Sequence, residues 1–330
     1  MSGKTETLRY IDAINAAFKE EMRRDKNVVL IGQDLISMSG APRETSGIFN
    51  EFGPERILET PITEQAIVGM AYGCGMTGLR PVAFLFVASF IMCAGDQIFL
   101  KMGASRQEWG WRGPLPVVLY SGIMGGIGIG QDHALNPESI LAHSPGLKVV
   151  MPSTAYDAKG LLKTAIRDDE PVVFLAHRGL FGKREAIPTK EYLIPLGKAD
   201  IKKVGTDVTI VTYSAMVHKA LAAADELVKE GISVEIVDLR SIVPMDIKAI
   251  VQSARKTGRL LIVHEAMKRS GMAGEIAFRF MEAAPETMKT LKAPIKRLAA
   301  KNVALPRSQQ VEPFLVPQIK DIVDAVKEMV

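Results

Sequence analysis

Residues 148–176 read KVVMPSTAYDAKGLLKTAIRDDEPVVFLA, and this stretch decides the fold class. Lys148-Val149-Val150-Met151 is a short apolar run closed by Pro152, with the length and composition of a buried strand. Residues 155–167 then repeat apolar positions at helical spacing, and residues 171–175 form a second apolar run. Two such runs around one helix make a strand–helix–strand unit, whose crossover leaves the strands parallel.

The alternation extends in both directions. Upstream, an apolar stripe at Ile11, Ile14, Phe18 and Met22 predicts a helix, and residues 27–31 predict a strand. Residues 35–53 read as loop. A strand at 56–61, a helix at 65–77, a strand at 82–87, a helix at 90–102 and a strand at 115–120 follow. The last opens into a glycine-dense loop, 122–130. Between 179 and 205 the pattern dissolves into charged and proline-containing sequence. It restarts with strands at 208–213, 234–239 and 260–264, helices at 216–230, 245–254 and 273–283, a strand at 295–299 and a helix at 316–329. The expectation is an α/β chain of two domains with parallel sheets covered by helices, at 1–185 and 207–330, joined by a linker at 186–206.

Composition narrows the functional classes. The 330 residues are 47% hydrophobic and 24% charged, which suits a packed globular chain. Forty-one basic and thirty-seven acidic residues give +4, spread along the chain, so no basic stripe points to nucleic acid. Two cysteines, Cys74 and Cys93, make neither a disulfide framework nor a zinc cage. The N-terminal MSGKTETLRY is polar and no run of about 18 apolar residues occurs, so a cytoplasmic protein without a membrane span is expected.

Few residues stand out as chemical candidates. The loop Gly122–Gly130 lacks the Gly-x-Gly-x-x-Gly spacing that opens a helix onto a pyrophosphate, and no Gly-Lys-Ser/Thr follows it. It reads better as a flexible loop at the carboxyl edge of a sheet, where open α/β sheets bind ligands. Glu64 opens a helix after Thr60-Pro61-Ile62-Thr63; alone, a carboxylate there is more often a helix-dipole partner than a catalyst. His133 follows the glycines, which argues against a regular helix and gives it better odds of function than a core histidine. No histidine pair has metal-ligand spacing, and no Gly-x-Ser-x-Gly elbow is present.

Taken in order, several segments resemble the β subunit of the thiamine-diphosphate-dependent first component of 2-oxoacid dehydrogenase complexes. They include Gly53-Pro54-Glu55-Arg56, Thr60-Pro61-Ile62-Thr63-Glu64, Gly78-Leu79-Arg80-Pro81, Asp96-Gln97-Ile98 and His143-Ser144-Pro145-Gly146-Leu147-Lys148. Ala165-Ile166-Arg167-Asp168, Ile194-Pro195-Leu196-Gly197 and Val263-His264-Glu265-Ala266 continue the match over nearly the whole chain. The resemblance implies a pyrimidine-binding thiamine-diphosphate domain followed by a transketolase C-terminal-like domain of Rossmann type. It implies that Glu64 hydrogen-bonds a pyrimidine nitrogen and that Phe90, Phe86 and Ile62 flank the ring. His133 would face the substrate and the lipoyl group. A monovalent cation, such as K+, would sit on Val117, Ala165, Ile166, Asp168 and Glu170, bracing a loop.

The superfamily's diphosphate and Mg2+ motif, Gly-Asp-Gly with a later Asn-Asn, is absent; Gly95-Asp96-Gln97 lacks the second glycine. The resemblance therefore implies half a site, completed by an α subunit in an α2β2 tetramer that delivers acyl groups from a 2-oxo acid to a lipoyl-bearing dihydrolipoyl acyltransferase. Two alternatives stay open, the first of them because of local departures such as His133-Ala134-Leu135-Asn136 where the family usually has His-Ser-Gln-Ser. One is the C-terminal half of a split transketolase-like ketol transferase, and the other is a non-catalytic assembly subunit.

Overall fold

The computed structural model describes residues 4–36 and 43–330. The chain divides into two compact units, Met1–Met124 with Ile140–Leu196, and Gly125–Ser139 with Gly197–Val330.

In the first unit, β1 (Thr5–Arg9) precedes β2 (Val28–Gly32), β3 (Ile57–Glu59), β4 (Arg80–Leu85), β5 (Val118–Ile123), β6 (Lys148–Val150), β7 (Val172–His177) and β8 (Arg184–Pro188). Strands β6-β7-β5-β4-β2-β3 lie side by side in that order, every neighbouring pair parallel. Phe84, Tyr120 and Phe174 share one register on β4, β5 and β7. Their rings stack with centroids 5.0 and 5.8 Å apart, and Phe18 of the Tyr10–Arg24 helix meets Tyr120 edge-on at 5.4 Å. Period-two alternation puts these three rings on one face, where the helix covers them. The Ala155–Arg167 helix begins at Thr154, whose hydroxyl accepts from the Asp157 amide, and packs against the Tyr10–Arg24 helix.

The second unit has β9 (Asp200–Lys203), β10 (Val208–Thr212), β11 (Val234–Asp238), the short β12 (Ser241–Val243), β13 (Leu260–Met267) and β14 (Lys296–Ala300). Its five-stranded sheet runs β14-β13-β10-β11-β9, parallel except for the antiparallel edge strand β9. Val208, Ile210, Val234, Ile236, Leu261 and Val263 form a core with the Met216–Leu227 and Ile319–Lys327 helices. No helix of the described residues is long and apolar enough to cross a membrane.

Several readings change. Residues 186–206, expected as a linker, contain the end of β8 and all of β9. β8 pairs antiparallel with β1, a strand whose exposed, polar pattern gives no periodic apolar pattern to read. The helix expected at 90–102 is a 3₁₀ segment, Ala88–Ala94, followed by a π-helix, Asp96–Met102, with the Gly103 amide bonded to the Ile98 carbonyl five residues back. Finally, the glycine-rich segment 125–139 groups with the second unit. Part of the loop expected at 35–53 is a short helix, Ile48–Phe52, and residues 37–42 of it lie outside the described residues.

Candidate active site

The carboxyl edge of the first sheet carries Glu64 and the residues around it. After β3, Thr60-Pro61-Ile62-Thr63 turns the chain, with the Thr63 hydroxyl donating to the Pro61 carbonyl at 3.1 Å, and the Glu64–Met76 helix starts. Glu64 is the first helical residue, where a carboxylate complements the positive end of the helix. It is half-buried and makes no hydrogen bond or ion pair among the described residues. It lines an open depression of about 610 Å³ with Thr63, Gln65, Ala66, Cys93 and Gln97. Ile62, beside it, is 69% exposed.

The opposite wall comes from the segment after β4. The 3₁₀ turn brings Cys93 to the depression and holds Phe90 half-buried, its amide bonded to the Val87 carbonyl at 3.0 Å. The π-helix brings Gln97, whose Nε2 donates to Asp96 at 3.1 Å while its Oε1 is buried with no hydrogen-bond partner among the described residues. An orphaned buried acceptor costs about 1–3 kcal/mol, so a donor from outside this unit fits there. A half-buried carboxylate and a glutamine side chain lining one depression fit an aromatic ring with both acceptor and donor nitrogens, which is the chemistry of an aminopyrimidine. Gln97 lay inside a quoted motif, but nothing in its spacing marked it as a site residue.

Phe86 is placed differently from Phe90. The Arg178 guanidinium lies 3.9 Å from its ring centroid and that of Arg43 lies at 4.8 Å, while Arg178 also donates to the Phe86 carbonyl at 3.0 Å. The ring is thus occupied by cations. Arg178 is a partner that no local pattern predicts.

His133 lies on the segment that groups with the second unit. Contrary to the sequence reading it is helical, in the one-turn Gln131–Ala134 helix, because Gly130 at φ +88° turns the chain into it. Its Nδ1 lies 3.1 Å from Asp132, which also pairs with Arg307. Partial desolvation opposes the shift, but the hydrogen bond and charge of Arg307, with His133 adding to them, hold the Asp132 carboxyl below its ordinary range. His143 is exposed, whereas His177 is buried and its Nδ1 accepts from the Gly179 amide.

The atoms nominated for a monovalent cation are already satisfied. The Val117 carbonyl accepts from the Val172 amide and that of Ala165 from the Asp168 amide. Arg80 donates to the carbonyls of Ile166 and Asp168 at 3.2 and 3.1 Å. The Lys148 ammonium sits 2.8 and 2.7 Å from the two Asp168 carboxylate oxygens, and Glu170 pairs with Arg106 at 2.7 Å. Three built-in cationic groups, Arg80, Lys148 and Arg106, meet these atoms in the place of a cation, so this set does not fit a bound one.

Known proteins resolve what kind of chain this is. The family described as "Transketolase, pyrimidine binding domain" matches residues 6–183, and "Transketolase, C-terminal domain" matches residues 197–322. The pyruvate dehydrogenase E1 component subunit beta of Bacillus subtilis (strain 168) is 42% identical over 320 residues, covering 97% of each chain. This chain belongs to the 2-oxoacid dehydrogenase E1 β-subunit family. The 2-oxoisovalerate dehydrogenase subunit beta of the same organism is 40% identical over 324 residues and 98% of each chain, so the E1 β likeness spans both substrate types. A solved structure described as a split gene transketolase, inactive beta4 tetramer, shares the fold with a TM-score of 0.75 at 23% identity over 98% of each chain. In the E1 β frame, Glu64 and the depression beside it fall within the pyrimidine-binding match, and the glycine-rich loop 125–139 also falls within it although it groups with the second unit.

Proposed function

We propose that this chain is the β subunit of a thiamine-diphosphate-dependent 2-oxoacid dehydrogenase, acting in the cytoplasm on a 2-oxo acid in the size range of pyruvate to 2-oxoisovalerate. Carbon dioxide leaves, the remaining acyl carbon is oxidised by two electrons, and the disulfide of a lipoyl group is reduced as it takes the acyl group. The observation that carries this reading is the half-buried Glu64, unpaired among the described residues, in a depression that Gln97 also lines. When bound, thiamine diphosphate supplies a carbon nucleophile and an electron sink for the decarboxylation.

The chain's own residues act around that group. Glu64 holds a proton shared with a ring nitrogen of the pyrimidine, and Gln97 accepts a hydrogen bond from the ring's amino group. Phe90 and Ile62 cover the ring and keep water from it. His133, with Asp132 at its Nδ1, moves a proton as the acyl group transfers. Arg43 and Arg178 cover Phe86, which leaves it no face for a stacking role. The loop brace that the resemblance gives to K+ falls to Lys148 and Arg80.

An α subunit holds the diphosphate and its Mg2+ and completes an α2β2 tetramer, and a lipoyl-bearing dihydrolipoyl acyltransferase receives the acyl group. The test is to co-purify this chain with the α chain of its own organism, add thiamine diphosphate and Mg2+, and follow carbon dioxide release and acyl-lipoyl formation from pyruvate and 2-oxoisovalerate. Turnover with either supports the reading. Transfer of a two-carbon unit from a ketose phosphate to an aldehyde, without either activity, would refute it in favour of a ketol transferase.

A further inference from the structure

The glycine-rich loop looks by composition like a cradle for an anionic ligand, yet the structure fills it from within. The Glu312 carboxylate, 1% exposed, accepts from the Gly126 amide through one oxygen at 2.7 Å and from the Gly128 amide through the other at 2.5 Å. These are the amides a phosphate would use, turned inward by positive φ at Gly126 (+82°) and Gly128 (+70°). Burying a carboxylate is costly unless such donors meet it.

Glu312 is one end of a strap. Residues 305–312 run along residues 126–132, all within the second unit. Gln131 exchanges two hydrogen bonds with the Leu305 backbone, each 3.0 Å. Arg307 pairs with Asp132 at 2.5 Å, and Gln309 donates to the Ile127 carbonyl at 3.2 Å. The fit is close: a Cβ on Gly128 would come within 2.5 Å of the Gln309 amide nitrogen, and one on Gly130 within 2.7 Å of Arg307. Asp132, held by Arg307, lies 3.1 Å from His133 Nδ1, so the strap reaches the charged neighbour of that ring.

We propose that Glu312 is a positioning residue: its carboxylate is the permanent occupant of the glycine cradle and, with the 305–312 strap, it fixes the loop that presents His133. The proposal rests on the reading of His133 as the proton carrier in acyl transfer. It also assigns the cradle to an internal carboxylate rather than to a nucleotide or phosphate.

The test uses the full-length chain and the enzyme assembled with its α subunit. Glu312→Gln keeps the shape but sets an amide N–H against one backbone N–H. Hydrogen exchange at Gly126 and Gly128 should speed up roughly tenfold to a hundredfold, the equivalent of one lost charge-assisted bond. In the assembled enzyme, kcat should fall about tenfold while KM for the 2-oxo acid changes less than about twofold. Glu312→Asp should recover part of the loss. Should Glu312→Gln fail to fold, Gln309→Ala and Arg307→Ala loosen the strap from its exposed side and should move exchange and kcat in the same direction by less.

Unchanged exchange at the two amides would overturn the proposal, as would protection of those amides in the wild-type chain by excess inorganic phosphate. The His133 reading fails separately, if His133→Ala retains full acyl transfer. Faster exchange with unchanged kcat, in an enzyme that His133→Ala inactivates, would overturn the positioning role alone.

Discussion

Replacing Glu64 by Gln separates catalysis from folding, because the structure sets the two effects on different scales. Glu64 is half-buried and pairs with no described side chain, so the isosteric change breaks no hydrogen bond or ion pair. What it removes is a negative charge in the first turn of the Glu64–Met76 helix, worth about 0.3–1 kcal/mol. For a chain of this size that corresponds to a fall in unfolding midpoint of a few degrees at most. The activity change is far larger. A side chain that holds the shared proton contributes about 10²–10⁴-fold, or roughly 3–5 kcal/mol of barrier. In the assembled enzyme, 2-oxo-acid-dependent reduction of an artificial electron acceptor should therefore fall by two to four orders of magnitude, as expected for a lost proton carrier. Scanning calorimetry on the same sample should show the assembly and its unfolding midpoint nearly intact. Retention of more than about a tenth of the activity would refute the assignment of the proton to Glu64, since loss of a general acid–base group is worth far more than tenfold.

Two further outcomes test other parts of the structure. His264 is fully buried, and desolvation pulls its pKa down to about 4, with the Ala266 backbone opposing and Arg297 adding to the fall. The folded chain keeps this ring neutral while the unfolded chain protonates it below about pH 6.5, so stability is lost as pH falls between those values, by roughly 3 kcal/mol in all. Urea denaturation should show that slope, and His264→Asn should flatten it; an unaltered slope refutes the account. Exchange of K+ for tetramethylammonium at constant ionic strength should leave turnover unchanged, because Lys148 and Arg80 already occupy the nominated cation atoms. Lys148→Met should create a K+ requirement, whereas a K+ requirement in the wild-type enzyme would contradict the built-in brace.

The alternation of strands and helices was legible because both periods are local. The Ala155–Arg167 helix, bounded by Thr154 and Asp168, matches the sequence reading at both ends, and strands at Val82–Leu85 and Val172–Leu175 lie within the apolar runs read as strands. The antiparallel edge strand β9 and the strand β1 were not legible, since neither has a continuous apolar face and their partners lie far along the chain. The π-helix escaped the reading for a related reason: its hydrophobic positions, Ile98 and Met102, suit an ordinary α-helix, and only the backbone reveals the wider turn that presents Gln97.

The sequence by itself determined the two α/β units, the carboxyl edge where Glu64 opens its helix, and the family. Those features rest on short-range periodicity and on motifs that are contiguous in the chain. Tertiary structure alone decided that two guanidiniums lie against Phe86, that Lys148 pairs with Asp168 while Arg80 reaches the Ile166 carbonyl, and that Glu312 fills a cradle 184 and 186 residues away. Each of these brings a charged group to partners that do not neighbour it in the chain. Hydrophobic patterning records which face of a segment is buried, but not which buried charge meets which donor.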